Sequence, residues 1–162
     1  MQVLYARLAC QRGEGLTTEV GFLALFEGER AMGVISVIAW LEIATGLGLA
    51  IFWLLFFTGG IAPSHPPPGY YAFEQSFVLS DIVLSAALLV AAALLYYKRN
   101  WGRILSLTCA GGLIFLALVD FGFNVRNGMY TTDLVAGVAA AAINFWCLGI
   151  GVFITAMIAV SE

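Results

Sequence analysis

The sequence predicts an all-α protein: a membrane-embedded antiparallel four-helix bundle. Of its 162 residues, 62% are hydrophobic and only 10% are charged, whereas a soluble domain carries about 25% charged residues. A chain of this length has too small a core for so many apolar side chains, because small domains leave much of their surface exposed. The long apolar stretches show no period-2 alternation, which indicates helices. The lipid bilayer is therefore the expected main partner of the chain.

Four stretches reach the roughly 20 apolar residues that a membrane-spanning helix needs. The sequence between them breaks each helix: "GGIAPSHPPPGY" is a turn and polyproline segment, "KRN" is a tight charged turn, and "NVRNGMYTTD" holds a glycine and two asparagines. We predict spans at residues 33–58, 73–97, 101–123 and 134–160.

Basic residues predict the orientation of these spans. Lys98, Arg99 and Arg103 cluster at the second connection, whereas the first connection has no lysine or arginine and the third has only Arg126. Cytoplasmic loops carry an excess of lysine and arginine. We therefore expect a multi-pass protein of the cell (inner) membrane with its N- and C-termini in the cytoplasm.

Residues 1–32 differ from the rest of the chain. They hold seven charged residues, and the apolar run "VGFLALF" is too short to span a membrane. We expect a cytoplasmic N-terminal tail with one short surface helix, followed by a four-transmembrane-helix domain at residues 33–162. The alternative is that translation starts at Met32 and that the upstream residues are not part of the natural protein.

Carboxylates within the spans are the strongest functional signal. A charged side chain near the bilayer centre costs a few kcal/mol, so such residues usually face the bundle interior and mark a function. Asp81 and Asp120 should lie at similar depth, because their helices are antiparallel neighbours joined by a tight turn. We predict a ligand-binding cup that opens to the extracytoplasmic side; its residues are Glu42, Asp81, Asp120, Asn124 and Asn144, with Glu42 lowest.

Purely structural roles for these residues remain open alternatives. Asp120 and Asn124 lie near the end of a span, where polar residues often cap the helix or reach the interface. Asp81 is also compatible with a structural pair between helices. If the Arg126 side chain turns inward, it would neutralise one of the carboxylates.

The sequence carries no motif of a cofactor or metal site. It lacks a phosphate-binding Gly-x-x-x-x-Gly-Lys loop and a His-Glu-x-x-His pair, and its single histidine lies in a loop. The three cysteines are widely spaced, which is unlike a zinc site or a disulfide framework. A net charge of −3 with seven basic residues along the chain argues against binding of nucleic acid. We therefore expect no cofactor, no metal and no nucleic-acid partner.

The segment "DFGFNVRNGMYTTD" followed by "AAINFWCLGIG" resembles a group of small bacterial four-helix integral membrane proteins to which no activity is attached. The resemblance covers the four spans and not the N-terminal tail. In architecture the chain is also similar to four-helix proteins that bind sterol-like ligands through intramembrane carboxylates, but no motif of theirs matches residue by residue.

Three functions fit these observations. The first is binding of a small amphipathic or cationic ligand, or of a partner helix, against the carboxylates. The second is a proton- or cation-coupled transporter subunit, and the third is a small acid–base membrane isomerase that acts on a lipid-like substrate. Small residues also recur in three spans, at Gly46 and Gly48, at Gly111 and Gly112, and at Gly149 and Gly151. Because small residues let helices approach closely, they favour a homodimer or a partner membrane subunit.

Overall fold

The computed structural model describes residues 19–59, 61, 63, 65–132 and 134–160; side chains are described from residue 33 onward, apart from residues 132 and 134. The described part consists of helices and contains no strand. The chain divides into two compact units, Met1–Val34 and Ile35–Glu162. The helices are α1 (Glu19–Phe57), α2 (Tyr70–Gln75), α3 (Val78–Tyr96), α4 (Asn100–Arg126), α5 (Met129–Thr132) and α6 (Leu134–Val160).

The four long helices are apolar and long enough to cross a membrane. The candidate spans within the described residues are Gly33–Phe57, Val78–Tyr96, Asn100–Arg126 and Val135–Val160. The predicted all-α four-helix bundle is therefore confirmed, and the chain is a multi-pass membrane protein. The expected tail at residues 1–32 falls largely outside the described side chains, and residues 1–18 fall outside the described backbone, so the domain boundary and the alternative start at Met32 stay predictions.

The bundle has two different ends. At one of them α1 stops at Phe57, α3 begins at Val78 and α4 stops at Arg126; we call this the proline-loop end. At the other, Lys98 and Arg99 join α3 to α4; we call this the basic-turn end. The apolar side chains with 0% exposure lie in the core of the bundle, namely Leu88, Ala91, Ala110, Leu113 and Ile154.

The second span differs from its predicted boundaries. The prediction began one helix at residue 73, whereas the structure has the short helix α2, a break at Ser76 and Phe77, and then α3. The Ser76 hydroxyl donates to the Phe73 carbonyl oxygen at 2.6 Å, and the Phe77 N–H donates to the Glu74 carbonyl oxygen at 2.9 Å. These contacts span three residues and compete with the regular four-residue helix bonds. The break therefore separates Glu74 from the helix that carries Asp81.

Glycines allow close contacts at several places, of which one joins α1 to α3 and another joins α4 to α6. A Cβ atom at Gly46 of α1 would lie 3.1 Å from the Ser85 carbonyl oxygen of α3, and one at Gly151 of α6 would lie 2.8 Å from the Ala110 carbonyl oxygen of α4. The Ser85 hydroxyl also donates to the Gly46 carbonyl oxygen at 2.7 Å. Small residues at such contacts are typical of membrane bundles. No atom lies within 4 Å of the Cβ position at three other glycines of the spans, Gly48, Gly111 and Gly149.

Candidate ligand-binding cavity

A cavity of about 480 Å³ lies in the half of the bundle nearest the proline-loop end. Its walls come from α1, α3, α4 and α6, while α2 and α5 contribute residues at the proline-loop end. This volume is within the range of small-molecule sites, about 300–1,000 Å³. The polar side chains on its lining are Thr45, Tyr70, Glu74, Asp81, Asp120, Asn124 and Asn144.

Four of the five residues predicted as ligand-binding line this one cavity: Asp81, Asp120, Asn124 and Asn144. Glu42 does not line it. It lies one helical turn from Thr45 toward the basic-turn end of α1, and it is fully buried. The geometry thus groups four of these side chains and separates the fifth, while their role in ligand binding stays a prediction.

Glu74 joins the cavity although the sequence did not single it out as a site residue. The sequence feature that could have indicated Glu74 is its spacing of seven residues from Asp81, because this spacing places both residues on one face of an unbroken helix. The helix is broken between them, yet both carboxyl groups reach the same space. Glu74 is partly buried, in contrast to most glutamates of short surface helices.

Asp81 has one satisfied oxygen and one unsatisfied oxygen. The Trp53 indole N–H of α1 donates to Asp81 Oδ2 at 3.0 Å. The second oxygen, Oδ1, is buried and makes no hydrogen bond, although the side chain is only 5% exposed. A buried acceptor without a donor costs about 1–3 kcal/mol. Asp81, a residue of the cavity lining, therefore carries one buried oxygen without a hydrogen-bond donor.

Asp120 is held by amide groups on its own helix and on α6. The Asn124 side chain donates to Asp120 Oδ2 at 3.1 Å, and the Asn144 side chain lies within hydrogen-bond range of the same carboxyl group. Asn144 also donates to the Tyr130 hydroxyl at 2.8 Å. These contacts orient the carboxylate but bring no positive charge to it.

The pKa of Glu74 responds to the charges of the other two carboxylates, which lie close to it. The pKa of Glu74 is raised from 4.5 to about 7, first by burial and then by the negative charges of Asp120 and Asp81. A hydrogen bond from the Tyr70 hydroxyl opposes this rise in the pKa of Glu74. Tyr70 itself has a raised pKa, because of its burial and then of the Glu74 charge.

Nothing basic balances these carboxylates within the cavity. Among the described residues that line it, there is no lysine, arginine or histidine. Arg126 lies at the adjacent end of α4, but its side chain is exposed and is not part of the lining. The neutralisation of a carboxylate by an inward-turned Arg126 is therefore not what the structure shows.

Apolar side chains form most of the cavity wall, and part of this wall faces the outside of the bundle. On α1 the lining residues Ile51 and Leu55 are 54% and 42% exposed, and on α6 Ile143 and Trp146 are 40% and 48% exposed. These exposed lining residues place an opening of the cavity between α1 and α6, within the candidate membrane spans. Across this opening the Trp146 indole N–H donates to Thr45 Oγ1 at 3.1 Å.

No protein family, no curated protein and no solved structure matches this chain. Among the described residues, no group of three or more histidine, cysteine, aspartate and glutamate side chains has the arrangement of a metal site.

Proposed function

We propose that this membrane protein binds an amphipathic cation in the cavity and holds its charged group against Glu74, Asp81 and Asp120. One observation carries the proposal: three carboxyl groups line an apolar cavity in which none of the described lining residues is basic. The buried Oδ1 of Asp81, which has no hydrogen-bond donor, adds to it.

Electrostatics favours a cation as the occupant. Carboxylates that share a poorly hydrated space repel one another, and this repulsion is relieved either by protons or by a cation. The charges of Asp81 and Asp120 act on Glu74, so a cation placed among them would interact favourably with all three groups. An anion would meet only further repulsion.

The apolar wall favours an amphipathic ligand over a hydrated metal ion. Aromatic rings at Phe52, Tyr70, Phe77 and Trp146 line the cavity together with aliphatic side chains. Rings attract organic cations through their negative faces, and the apolar wall gains free energy from a hydrocarbon body. The opening between α1 and α6 gives such a ligand a path from the bilayer.

We further infer the orientation of the protein. Lys98, Arg99 and Arg103 lie at the basic-turn end, which the distribution of positive charge in membrane proteins assigns to the cytoplasm. The cavity then belongs to the extracytoplasmic half of the inner membrane.

Binding of a matched pair of probes tests the proposed function. Benzyltrimethylammonium carries a permanent charge, and neopentylbenzene has nearly the same shape without it. We expect the purified protein in lipid nanodiscs to bind the cation and to bind the neutral probe far more weakly. The variant Asp81→Asn should weaken binding of the cation at least about thirtyfold, since loss of one partner of a buried charge pair costs 2 kcal/mol or more. Titration calorimetry measures both affinities.

The control for this experiment is Thr108→Val. Thr108 lies on the exposed surface of α4, outside the cavity lining, and its hydroxyl bonds only to the Ile104 carbonyl oxygen of its own helix. It should bind the cation like the wild type. Equal affinity for the charged and the neutral probe, or an unchanged affinity in folded Asp81→Asn, would overturn the proposal.

A further inference from the structure

A second polar cluster lies outside the cavity, between α1 and α4. Glu42 of α1 and Ser106 of α4 both have 0% exposure. The Ser106 hydroxyl faces the Glu42 carboxyl group, but neither oxygen of Glu42 nor Ser106 Oγ makes a hydrogen bond of acceptable geometry. Three polar atoms are thus buried together without partners, which is rare in folded proteins.

Glu42 has no counter-charge in its surroundings. Among the described residues it makes no ion pair, and its charge acts on the Cys109 thiol of α4, a side chain that is 2% exposed. Arg103 lies one turn from Ser106 toward the basic-turn end of α4, and no ion pair joins it to Glu42. The free-energy cost of burying an isolated carboxylate is so high that the neutral acid is favoured. The neutral acid, in contrast, has an O–H group that Ser106 Oγ accepts after a small rotation.

Thr45 lies between this cluster and the cavity along α1. It follows Glu42 by three residues on the same face of α1, a rise of about 4.5 Å along the helix. Its side chain lines the cavity, and its oxygen accepts the Trp146 indole N–H. The Thr45 hydroxyl proton is therefore not used by that bond. On α4 the residues between Ser106 and the cavity-lining Leu116 bear no charge.

We propose that Glu42 and Ser106 form an inner proton-binding site that exchanges its proton with the cavity past Thr45. On release, the O–H bond of Glu42 breaks, the proton passes to water in the cavity, and a carboxylate remains; proton uptake is the reverse, and no electrons are transferred. A cation in the cavity and a proton at Glu42 then compete electrostatically. This coupling to the cation rests on the proposed function, whereas the proton site itself does not.

Infrared difference spectroscopy of the protein in lipid vesicles, without any ligand, tests the proton site. A protonated carboxyl group gives a C=O stretching band, which shifts when water is replaced by D₂O. We expect one such band to be lost in Glu42→Gln and to change frequency in Ser106→Ala. Thr45→Val should slow its exchange in D₂O, whereas the lipid-facing Thr108→Val should leave the band and its exchange unchanged.

Two results would overturn the proposal. One is a set of acid bands that is the same in folded Glu42→Gln as in the wild type. The other is a Glu42 band that does not shift in D₂O, because its proton would then be locked in place. If Glu42→Gln does not fold, the frequency change in Ser106→Ala decides the assignment, and an unchanged spectrum in that variant counts against the site.

The coupling is tested separately with benzyltrimethylammonium. In weakly buffered solution with a pH indicator, binding of this cation should release protons, and Glu42→Gln should release fewer while it still binds the cation. An equal release would contradict the coupling. Failure of the cation to bind at all would count against the proposed function and leave the infrared result intact.

Discussion

Glu74 is the one cavity carboxyl group that lies outside the spans. It sits on α2 beside Tyr70, whose hydroxyl bonds to it, and α2 is a six-residue helix joined to α3 by the break at Ser76 and Phe77. Protonation of Glu74 removes its repulsion with Asp120 and Asp81. The charge of Glu74 therefore affects the stability of the contact between α2 and the rest of the cavity wall.

Stability should depend on pH through Glu74. Its pKa is raised from 4.5 to about 7 in the folded protein, so the folded state keeps a proton that the unfolded state loses between these values. The contribution of Glu74 to the free energy of unfolding is then full below pH 4.5, decreases as the pH rises toward 7, and is lost above that. Unfolding in mixed micelles on both sides of this window measures it.

The variant Glu74→Gln should show a weaker decrease of stability across the same window, because it retains the polar contact to Tyr70 without a titrating group. Gln75→Ala changes the neighbouring, exposed residue of α2 and should keep the pH dependence of the wild type. A slope in Glu74→Gln equal to that of the wild type would contradict the expectation.

At the scale of helices, the contact between α4 and α6 depends on Gly151. A Cβ atom there would lie 2.8 Å from the Ala110 carbonyl oxygen and 2.7 Å from Ile114 Cγ1, and a backbone atom moves only if the helix moves. We expect Gly151→Ala to lower the free energy of unfolding by about 1–3 kcal/mol. Denaturant titration in mixed micelles measures this change.

Gly149 provides the matched control, two residues earlier on α6. No atom lies within 4 Å of its Cβ position, so Gly149→Ala should be neutral or should stabilise the protein by up to about 1 kcal/mol through helix propensity. Equal effects of the two substitutions would show that the close contact does not limit stability.

For the whole molecule, the orientation is the property that decides which compartment the cavity serves. We expect a cysteine placed at His65 to react with a membrane-impermeant thiol reagent in intact cells, and one placed at Arg99 to react only after the cells are opened. Both are tested in a background without Cys10, Cys109 and Cys147. The reverse pattern would place the cavity in the cytoplasmic half.

The sequence predicted the bundle well because hydrophobic length is a local property. Depth along the helices also sufficed to predict that Asp81 and Asp120 meet, since a tight turn aligns α3 with α4. Two features of the structure could not be predicted from the depth of residues along the helices. The bond between Trp53 and Asp81 joins residues 28 positions apart and requires the rotation of two helices about their axes. The separation of Glu42 from the cavity likewise depends on which side chains fill the space one turn away.

The break at Ser76 and Phe77 was missed for a different physical reason. Hydropathy does not register the competition of one serine hydroxyl for a helix carbonyl, and the apolar residues continue through the segment. Glu74 was consequently assigned to a membrane span, whereas it belongs to a separate short helix.

The α6 wall of the cavity is built largely from alanines, at Ala136, Ala139, Ala140 and Ala142. Substitution of an alanine by larger apolar residues narrows the cavity in small steps, whereas substitution by glycine removes only one methyl group. Under the proposed function, substitutions in this wall would change the width of the ligand that the cavity accepts, while the carboxylates on the other helices stay the same. If the proposed cation binds here, its size would be selected by α6 and its charge by α2, α3 and α4, so that substitutions could change one kind of selectivity without the other.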